Sequence, residues 1–337
     1  MSRGRVSPPS PSPSHPITGK GGEEEPTPYP LPLLGGGGEE RAGGGEILSL
    51  GFVNVYFLDD GERGGDWVLI DTGLPLHFSA IVREAQRRYG KIAPTGIYLT
   101  HGHYDHAGSA AALAAYWDVP IFAHEAELPF LTGQCDYPPA DPSSCSGWLS
   151  LASRFASTHG KDLRPFVQAL PSPFLPLSGG GAGGGGHWEV IPLPGHTLGQ
   201  VGFWQEATRT LIAGDALMNL KLDTWRPRRK LTWPPPPFTT DWFATRKSLE
   251  TILALRPQTL YFGHGDPLVN APLDKLTQWF AIARKGRYIG EPVRQAADGS
   301  LIIAPATQDP AKQLAKTIAL GALAASAYFL WKRKQNS

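Results

Sequence analysis

The stretch THGHYDHAG, residues 100–108, places three histidines and one aspartate within six consecutive positions. The donors stand at the first, third, fifth and sixth positions of the run from His101 to His106. Neutral imidazole is the commonest protein ligand of zinc, and a carboxylate is its harder oxygen partner. Without a metal ion, the three imidazoles on this short loop would each need separate hydrogen-bond partners. The stretch therefore predicts a metal site.

Three further donors follow apolar runs elsewhere in the chain. His196 stands in LPGHTLG, Asp215 in IAGDAL and His264 in YFGHGD, and a glycine precedes each of them. Glycine allows the backbone to come close to a crowded centre. Each donor alone would be weak evidence, since a lone histidine after a strand is more often a core or surface residue. Their joint occurrence with residues 101–106 predicts that seven donors at strand ends converge on one site.

The regions around the histidine cluster alternate between strand and helix patterns. Residues 47–60 and 66–73 are β-rich apolar runs separated by a glycine- and charge-rich turn, which predicts a hairpin. Residues 76–89 show helical spacing, and Gly90 is a stop signal. A strand then leads into the cluster, followed by the helix pattern SAAALAAYWDV and the strand pattern PIFAHEAE. This order predicts a layered α/β domain.

The second half repeats this alternation after an irregular segment. Residues 129–186 are rich in proline and end in the glycine run SGGGAGGGG, so we interpret them as an insertion. Within it, residues 147–170 are expected to form helical pieces that cover a face of the active site. Strand patterns resume at 187–197 and 200–217, and the helix pattern DWFATRKSLETILAL is followed by the strand pattern TLYFGHG.

The two ends of the chain differ from the region between them. Residues 1–45 are rich in Pro, Ser, Gly and Glu and predict a disordered tail without a secretory signal peptide. The predicted catalytic domain spans 46–290, and a hairpin or linker spans 291–313. The apolar segment 314–332, followed by Arg333 and Lys334, is either a transmembrane tail anchor or a helix packed on the domain. We expect a cytoplasmic catalytic domain, with or without that anchor.

Composition limits the classes of partner. The 31 basic and 30 acidic residues leave a formal charge of +1, so no global field favours nucleic acid. We therefore expect a small-molecule substrate, no nucleic acid, and a membrane contact only through the C-terminal helix. Cys135 and Cys145 bracket a Pro- and Ser-rich loop, where a disulfide and two thiols are both open. Neither the redox compartment nor the oligomeric state follows from these features.

Taken together, the motifs resemble the metallo-β-lactamase superfamily. The resemblance covers about residues 48 to 268 and rests on Asp71 in IDTG, THGHYDHAG, His196 in PGHT, Asp215 in AGDAL and His264 in GHG. It implies an αβ/βα four-layer sandwich in which two mixed β-sheets lie face to face, flanked by helices. The metals would then lie at one edge of the sheets.

The resemblance also assigns ligands residue by residue. The first metal would be held by His101, His103 and His196. The second would be held by Asp105, His106 and His264, and Asp215 would bridge the two. Asp71 would support the ligands without binding metal. Asp105, besides ligating, is the candidate to orient water and to carry a proton.

The implied reaction is hydrolysis by a hydroxide held between two metal ions. An all-nitrogen and oxygen ligand set suits two zinc ions, with iron or manganese as alternatives. Such a centre would cleave an ester, thioester or lactone bond of a small molecule. The alternatives are a mononuclear iron persulfide-type dioxygenase, a phosphodiesterase or nuclease branch of the same fold, and a non-catalytic binding module.

The sequence leaves the roles of several side chains near the motifs open. Tyr104 lies between two ligands and either donates to a developing oxyanion in contact with substrate or simply packs. His124 in FAHEAE is expected to lie near the site in a structural role. Four aromatic residues either line an apolar acyl-chain groove or pack on the surface: Trp225, Trp233, Trp242 and Phe238.

Overall fold

Two large β-sheets form the centre of the fold in the computed structural model of the chain. The structure describes residues 45–60, 65–156, 159–177, 187–270, 276–278, 280–281, 294–297, 299 and 301–302. The tail predicted at 1–45 lies outside these residues except for Gly45, and the glycine run at 178–186 and the apolar segment 314–332 lie wholly outside them. Those predictions stay predictions.

The first sheet contains strands of both orientations. In sheet order its strands are β1 (Gly45–Leu50), β2 (Val53–Asp59), β3 (Trp67–Ile70), β4 (Ile97–Tyr98), β5 (Ile121–Ala123) and β6 (Val167–Ala169). The first three strands pair antiparallel, and β3 to β6 pair parallel. The hairpin predicted from 47–60 and 66–73 is confirmed as β2 and β3, and β1 adds an outer strand.

The second sheet is also mixed. Its strands are β7 (Trp188–Pro192), β8 (Val201–Gln205), β9 (Thr210–Ile212) and β10 (Thr259–Tyr261), arranged in the order β10-β9-β8-β7. The pair β9 and β10 is parallel, and the other two pairs are antiparallel. A separate antiparallel pair, β11 (Arg294–Gln295) with β12 (Leu301–Ile302), lies in the segment for which the sequence predicts a hairpin or linker.

Six α-helices accompany the sheets in the described residues, besides a short helical segment at 276–278 and 280–281. They are α1 (Phe78–Tyr89), α2 (Tyr104–Ala107), α3 (Ala110–Trp117), α4 (Leu128–Leu131), α5 (Gly147–Ser153) and α6 (Trp242–Leu255). Helix α1 ends at Gly90, whose φ of +63° is a conformation that glycine adopts readily. Asp241 caps α6 by accepting hydrogen bonds from the amides of Phe243 and Ala244. None of these helices is long and apolar enough to cross a membrane.

Alternating side chains on the strands build the four layers. On β2, Phe57 packs against the helices α1 and α3, and its neighbour Tyr56 packs against the second sheet. The outer face of the second sheet packs against α6 through residues such as Leu211 and Leu249. The order is therefore helices, sheet, sheet, helix, and the predicted αβ/βα sandwich with two mixed sheets is confirmed.

The parallel strands explain why the ligand motifs meet. Asp71 follows β3 and His101 follows the adjacent β4, while Asp215 follows β9 and His264 follows the adjacent β10. Parallel neighbours end at the same edge of a sheet, so each pair of motifs is brought together by topology. The Gly263 amide donates to the Gly214 carbonyl at 2.9 Å, which ties the two motifs of the second sheet together.

The expectation of helical pieces in residues 147–170 is met only in part. Gly147–Ser153 forms α5, whereas Val167–Ala169 forms β6 and pairs with β5. The reason is tertiary, because β5 would otherwise leave its backbone groups unpaired at the edge of the sheet. The C-terminal end of the insertion thus completes the first sheet. Cys135 and Cys145, in the same insertion, are thiols and form no disulfide.

Candidate metal centre

Three imidazoles converge on one point at the sheet edge. The His103 Nδ1 atom lies 3.1 Å from His101 Nε2 and 2.9 Å from His196 Nε2. His101 and His196 are buried, and burial lowers the pKa of all three imidazoles, an effect that neighbouring histidines reinforce. The three rings are therefore neutral and offer nitrogen lone pairs to a common centre.

A second group of donors lies beside the first. It consists of Asp105 and His106 on α2 and His264 after β10, with His264 Nε2 3.4 Å from Asp105 Oδ2. Burial opposes charge on His106 and His264, but the facing carboxylates outweigh it. They raise the pKa of His106 well above its usual range and that of His264 to about 10. In return these imidazoles hold the pKa of Asp105 below its usual range, against the effect of burial. This half of the site attracts positive charge.

Asp215 stands between the two groups. Its Oδ2 atom lies 3.1 Å from His264 Nε2 and 3.6 Å from His196 Nε2, and its Oδ1 atom lies 3.6 Å from His106 Nε2. The carboxylate is buried, and the surrounding imidazoles hold its pKa well below the usual value although burial alone would raise it. Asp215 therefore faces both groups with a negative charge.

The donor set fits two divalent cations. The buried His106 Nε2 and Asp215 Oδ1 atoms have no hydrogen-bond partner among the described residues. The three nitrogen atoms of the first group, His101 Nε2, His103 Nδ1 and His196 Nε2, converge with His103 Nδ1 within 3.1 Å of the other two, an arrangement that a shared cation would stabilise. Each of three clusters brings three ligand atoms within 4.8 Å of one another: His101, His103 and His196; His101, His106 and Asp215; Asp105, His106 and His264. All seven predicted ligands are thus brought together.

Asp71 lies behind the ligands and orients two of them. Its carboxylate accepts hydrogen bonds from His106 Nδ1, from the Thr100 amide and from the Thr100 hydroxyl, each at 2.8 Å. The Thr100 hydroxyl oxygen lies 3.1 Å from His101 Nδ1, so the same carboxylate also acts on His101. Asp71 adopts a φ of +59°, an uncommon backbone conformation for a residue other than glycine. Asp71 thus contacts His106 directly and His101 through Thr100, and its role in supporting metal ligands stays a prediction.

Two more of the predicted ligands have the ring nitrogen that faces away from the site in contact with another residue. His264 Nδ1 donates to the Phe52 carbonyl at 2.7 Å, and the Phe52 ring stacks on the imidazole at 5.7 Å. His196 Nδ1 lies 3.4 Å from the Thr239 hydroxyl. An engaged outward nitrogen sets the ring orientation and leaves the inward nitrogen available for a metal.

Glu127 is a buried residue of the site that sequence reasoning missed. Its carboxylate accepts a hydrogen bond at 2.9 Å from the Gly102 amide, in the loop of His101 and His103. It accepts another at 2.9 Å from the Gly199 amide, in the loop that follows His196. One side chain therefore joins the two loops that supply the first ligand group. The partners lie 25 and 72 residues away, so no local pattern could reveal them.

Tyr137 completes this buried network. Its hydroxyl donates a short hydrogen bond to Glu127, and its ring meets the His103 ring edge-on at 4.6 Å between centroids. Burial and the facing carboxylate raise the pKa of Tyr137 well above its usual range, so the phenol keeps its proton. His124, which the sequence expects in a structural role, caps the turn before Glu127, where its Nδ1 atom accepts from the Ala126 amide at 3.2 Å.

The Glu127→Gln variant should bind the first metal ion about 10- to 100-fold more weakly, with a similar fall in kcat/KM. The amide nitrogen of glutamine cannot accept a hydrogen bond, so one backbone amide or the Tyr137 hydroxyl would lose its acceptor. Metal affinity is measured by competition with a chromogenic chelator. Glu125→Gln is the matched control, because Glu125 is exposed in the same turn. A lower unfolding temperature with unchanged metal affinity would contradict the positioning role.

The remaining predicted aromatic residues do not form one groove. Trp233 is buried and lies 5.8 Å from Trp242 between ring centroids, in the core between α6 and the second sheet. Phe238 lies beside the site, with its ring 6.3 Å from His103, and Trp225 is exposed. Tyr104 is also exposed and lies under the Lys161 ammonium, 4.5 Å from the ring centroid. A contact of Tyr104 with substrate stays a prediction.

Comparisons with known proteins agree with this geometry. The family model described as the metallo-beta-lactamase superfamily matches residues 48–264. A probable metallo-hydrolase of Bacillus subtilis, YflN, is 36% identical over 242 residues, covering 69% of this chain and 88% of the relative. A hydroxyacylglutathione hydrolase of Bdellovibrio bacteriovorus is 26% identical over 177 residues, covering 52% and 50% of the two chains. An acyl-coenzyme A thioesterase of Bos taurus, MBLAC2, is 26% identical over 200 residues, covering 54% and 68%.

Proposed function

Because the chain belongs to the metallo-β-lactamase superfamily, we propose that it is a hydrolase that uses two metal ions to cleave an ester, thioester or lactone bond of a small molecule. The observation that carries the proposal is the position of Asp215, whose two carboxylate oxygens face two complete groups of donors. A single-metal oxygenase would not need both groups. Two ions side by side can activate a water molecule and also stabilise the leaving group, which is what hydrolysis needs.

Each side chain has a role in this proposal. His101, His103 and His196 would hold the first ion, and Asp105, His106 and His264 would hold the second. Asp215, which faces both groups, would serve both ions. When bound, the two ions lower the pKa of water to about neutrality and polarise the carbonyl oxygen of the substrate. Zinc suits the nitrogen and oxygen donors best, and iron or manganese would fit the same donor types.

Asp105 is the residue best placed to handle a proton. Its side chain is 29% exposed, whereas that of Asp215 is 2% exposed, so of the two ligating carboxylates Asp105 lies closer to solvent. Its Oδ2 atom faces His264, and the second oxygen is available to orient water and to pass a proton to the leaving group. Asp71 holds the His106 imidazole from behind, and Glu127 holds the loop of His101 and His103 through the Gly102 amide.

Two relatives favour the thioester among the three bond types. Their names are a hydroxyacylglutathione hydrolase and an acyl-coenzyme A thioesterase. The balanced charge of the chain supports a small-molecule substrate over nucleic acid. We also retain the tail anchor at 314–332 as a proposal from its sequence alone.

Metal content and a substrate panel test the proposed function together. We expect two ions per chain by elemental analysis, and turnover of at least one substrate among acyl thioesters, carboxylic esters and lactones after loading with zinc, iron or manganese. The chelated protein should lose this turnover and regain it on addition of metal. One iron per chain with persulfide oxidation, or turnover of phosphodiesters alone, would replace the proposal by the corresponding alternative. Two bound ions without any turnover would favour a binding module.

A further inference from the structure

Helix α5 leaves one apolar face exposed. Trp148 and Phe155 are 55% and 83% exposed, and Leu151 between them is also exposed. The spacing of three and four residues places these side chains on one side of the helix and of the turn that continues it. Gly147 and Ser153, by contrast, are buried. The helix therefore packs through Gly147 and Ser153, with Leu149 half-buried, while Trp148 and Leu151 lie on its exposed side.

A β-arm extends this apolar face. Isolated bridges pair Met218 with Thr232 and Lys221 with Arg228, so residues 218–232 fold back on themselves. Trp225 lies at the tip and is 73% exposed. The arm contacts α5, because the Trp148 amide lies 3.4 Å from the Thr224 carbonyl oxygen. Trp225 is therefore adjacent to α5, and we call Trp148, Leu151, Phe155 and Trp225 the aromatic surface.

Basic side chains flank the aromatic surface. The arm carries four exposed basic residues after its tip: Arg226, Arg228, Arg229 and Lys230. Arg229 pairs with Asp266 at 3.0 Å, but both side chains stay at least half exposed. Asp223, the acidic residue within 221–230, lies 2.7 Å from Lys221. A chain with a net charge of +1 thus concentrates positive charge beside exposed tryptophans.

We propose that the aromatic surface and its basic flank dock on an anionic phospholipid membrane. Tryptophan prefers the headgroup level of a bilayer, leucine and phenylalanine enter the acyl region, and arginine and lysine bind anionic headgroups. Two copies docking through this surface would bring like charges together. A nucleic acid would use the arginines and tryptophans but would leave Leu151 and Phe155 exposed to water. An anionic membrane can contact both the exposed apolar residues of the aromatic surface and the basic residues beside it.

The position of the surface links the membrane to the metal centre. Helix α5 contacts the turn Pro236–Phe238, and the Phe238 ring lies 6.3 Å from His103. A protein docked through this surface would hold its site close to the bilayer. The docking itself is independent of the proposed reaction, and so is its test.

Vesicle binding by the full chain tests the docking. Wild-type protein should sediment with phosphatidylcholine vesicles that contain roughly one third phosphatidylserine more strongly than with pure phosphatidylcholine vesicles. The Trp148→Ala/Trp225→Ala variant should bind the anionic vesicles about tenfold more weakly, and Arg226→Glu/Arg228→Glu should lose the preference for anionic lipid. Leu76→Ala and Phe174→Ala, exposed apolar residues elsewhere, are the matched controls and should bind as wild type.

A fluorescence measurement separates this surface from any contribution of residues 314–332. Lipids brominated on the acyl chain should quench part of the tryptophan emission of the wild type, and Trp148→Phe/Trp225→Phe should lose a part of that quenching. Equal quenching in the two proteins would overturn the proposal. So would a dimer that the Trp148→Ala/Trp225→Ala variant abolishes, or binding to a single-stranded oligonucleotide without binding to vesicles.

Discussion

Asp215→Asn should hold at most one metal ion per chain and should lose about 1,000-fold or more in kcat/KM, which corresponds to roughly 4 kcal/mol of transition-state stabilisation. The carboxylate faces His196 and His264 with one oxygen and His106 with the other. Asparagine keeps the shape but removes the negative charge that would lie between two cations. Elemental analysis and steady-state kinetics on the same preparation measure the two effects together.

The control for Asp215→Asn must also change a buried aspartate. Asp60→Asn changes a buried aspartate at the end of β2, outside the donor clusters, where the side chain accepts from the Asp66 amide. We expect this variant to keep both ions and its activity. If Asp215→Asn retained two ions at wild-type activity, Asp215 would not bridge the groups and the two-metal proposal would fail.

Asp105→Asn should lower kcat by about 100-fold or more while the first donor group still binds its ion. Of the two ligating carboxylates, Asp105 is the one whose side chain reaches solvent, and asparagine cannot take up and release a proton at that position. The loss should be larger for substrates with poor leaving groups than for activated ones, because only poor leaving groups need the proton. Comparing an alkyl thioester or ester with a nitrophenyl ester measures this difference.

The comparison must be made on protein with a known metal content. Asp105 is also a proposed ligand, so the second ion is restored by excess metal and its occupancy is measured before the kinetics. An equal loss for good and poor leaving groups at full occupancy would show that Asp105 acts only as a ligand. The Asp71→Asn variant is a useful comparison, because Asp71 touches His106 from behind and lies outside the donor clusters.

The ligand motifs could be found from the sequence because each is local. His101, His103, Asp105 and His106 lie within six positions, and the other donors follow apolar runs that predict strands. Strand periodicity and glycine are signals that a short window contains. The same reasoning led to the layered fold, and the sandwich with two mixed sheets agrees with it.

The features that sequence reasoning missed depend on distant partners. Glu127 stands in the segment HEAELPF, where no local pattern marks it as a residue of the site, yet its hydrogen bonds reach the loops of Gly102 and Gly199, 25 and 72 residues away. The strand β6 falls in a segment for which the sequence predicts helical pieces, because residues 167–169 do not themselves show that β5 needs a partner strand. The grouping of Trp148 with Trp225 requires contact between α5 and an arm that lies about seventy positions further along.

The sequence by itself determined which side chains can bind metal and which strands would present them, because ligand chemistry and strand periodicity are properties of short segments. The resemblance to the family already divides these donors into two groups around Asp215, but only the tertiary structure decided the distances at which they meet and which buried residues, such as Glu127, hold their loops in place. The physical reason is that hydrogen bonds and burial act through space, while sequence patterns record neighbours along the chain. Asp71 is an example of both kinds of information. Its motif can be recognised in the sequence, but its hydrogen bond with His106 is seen only in the folded structure.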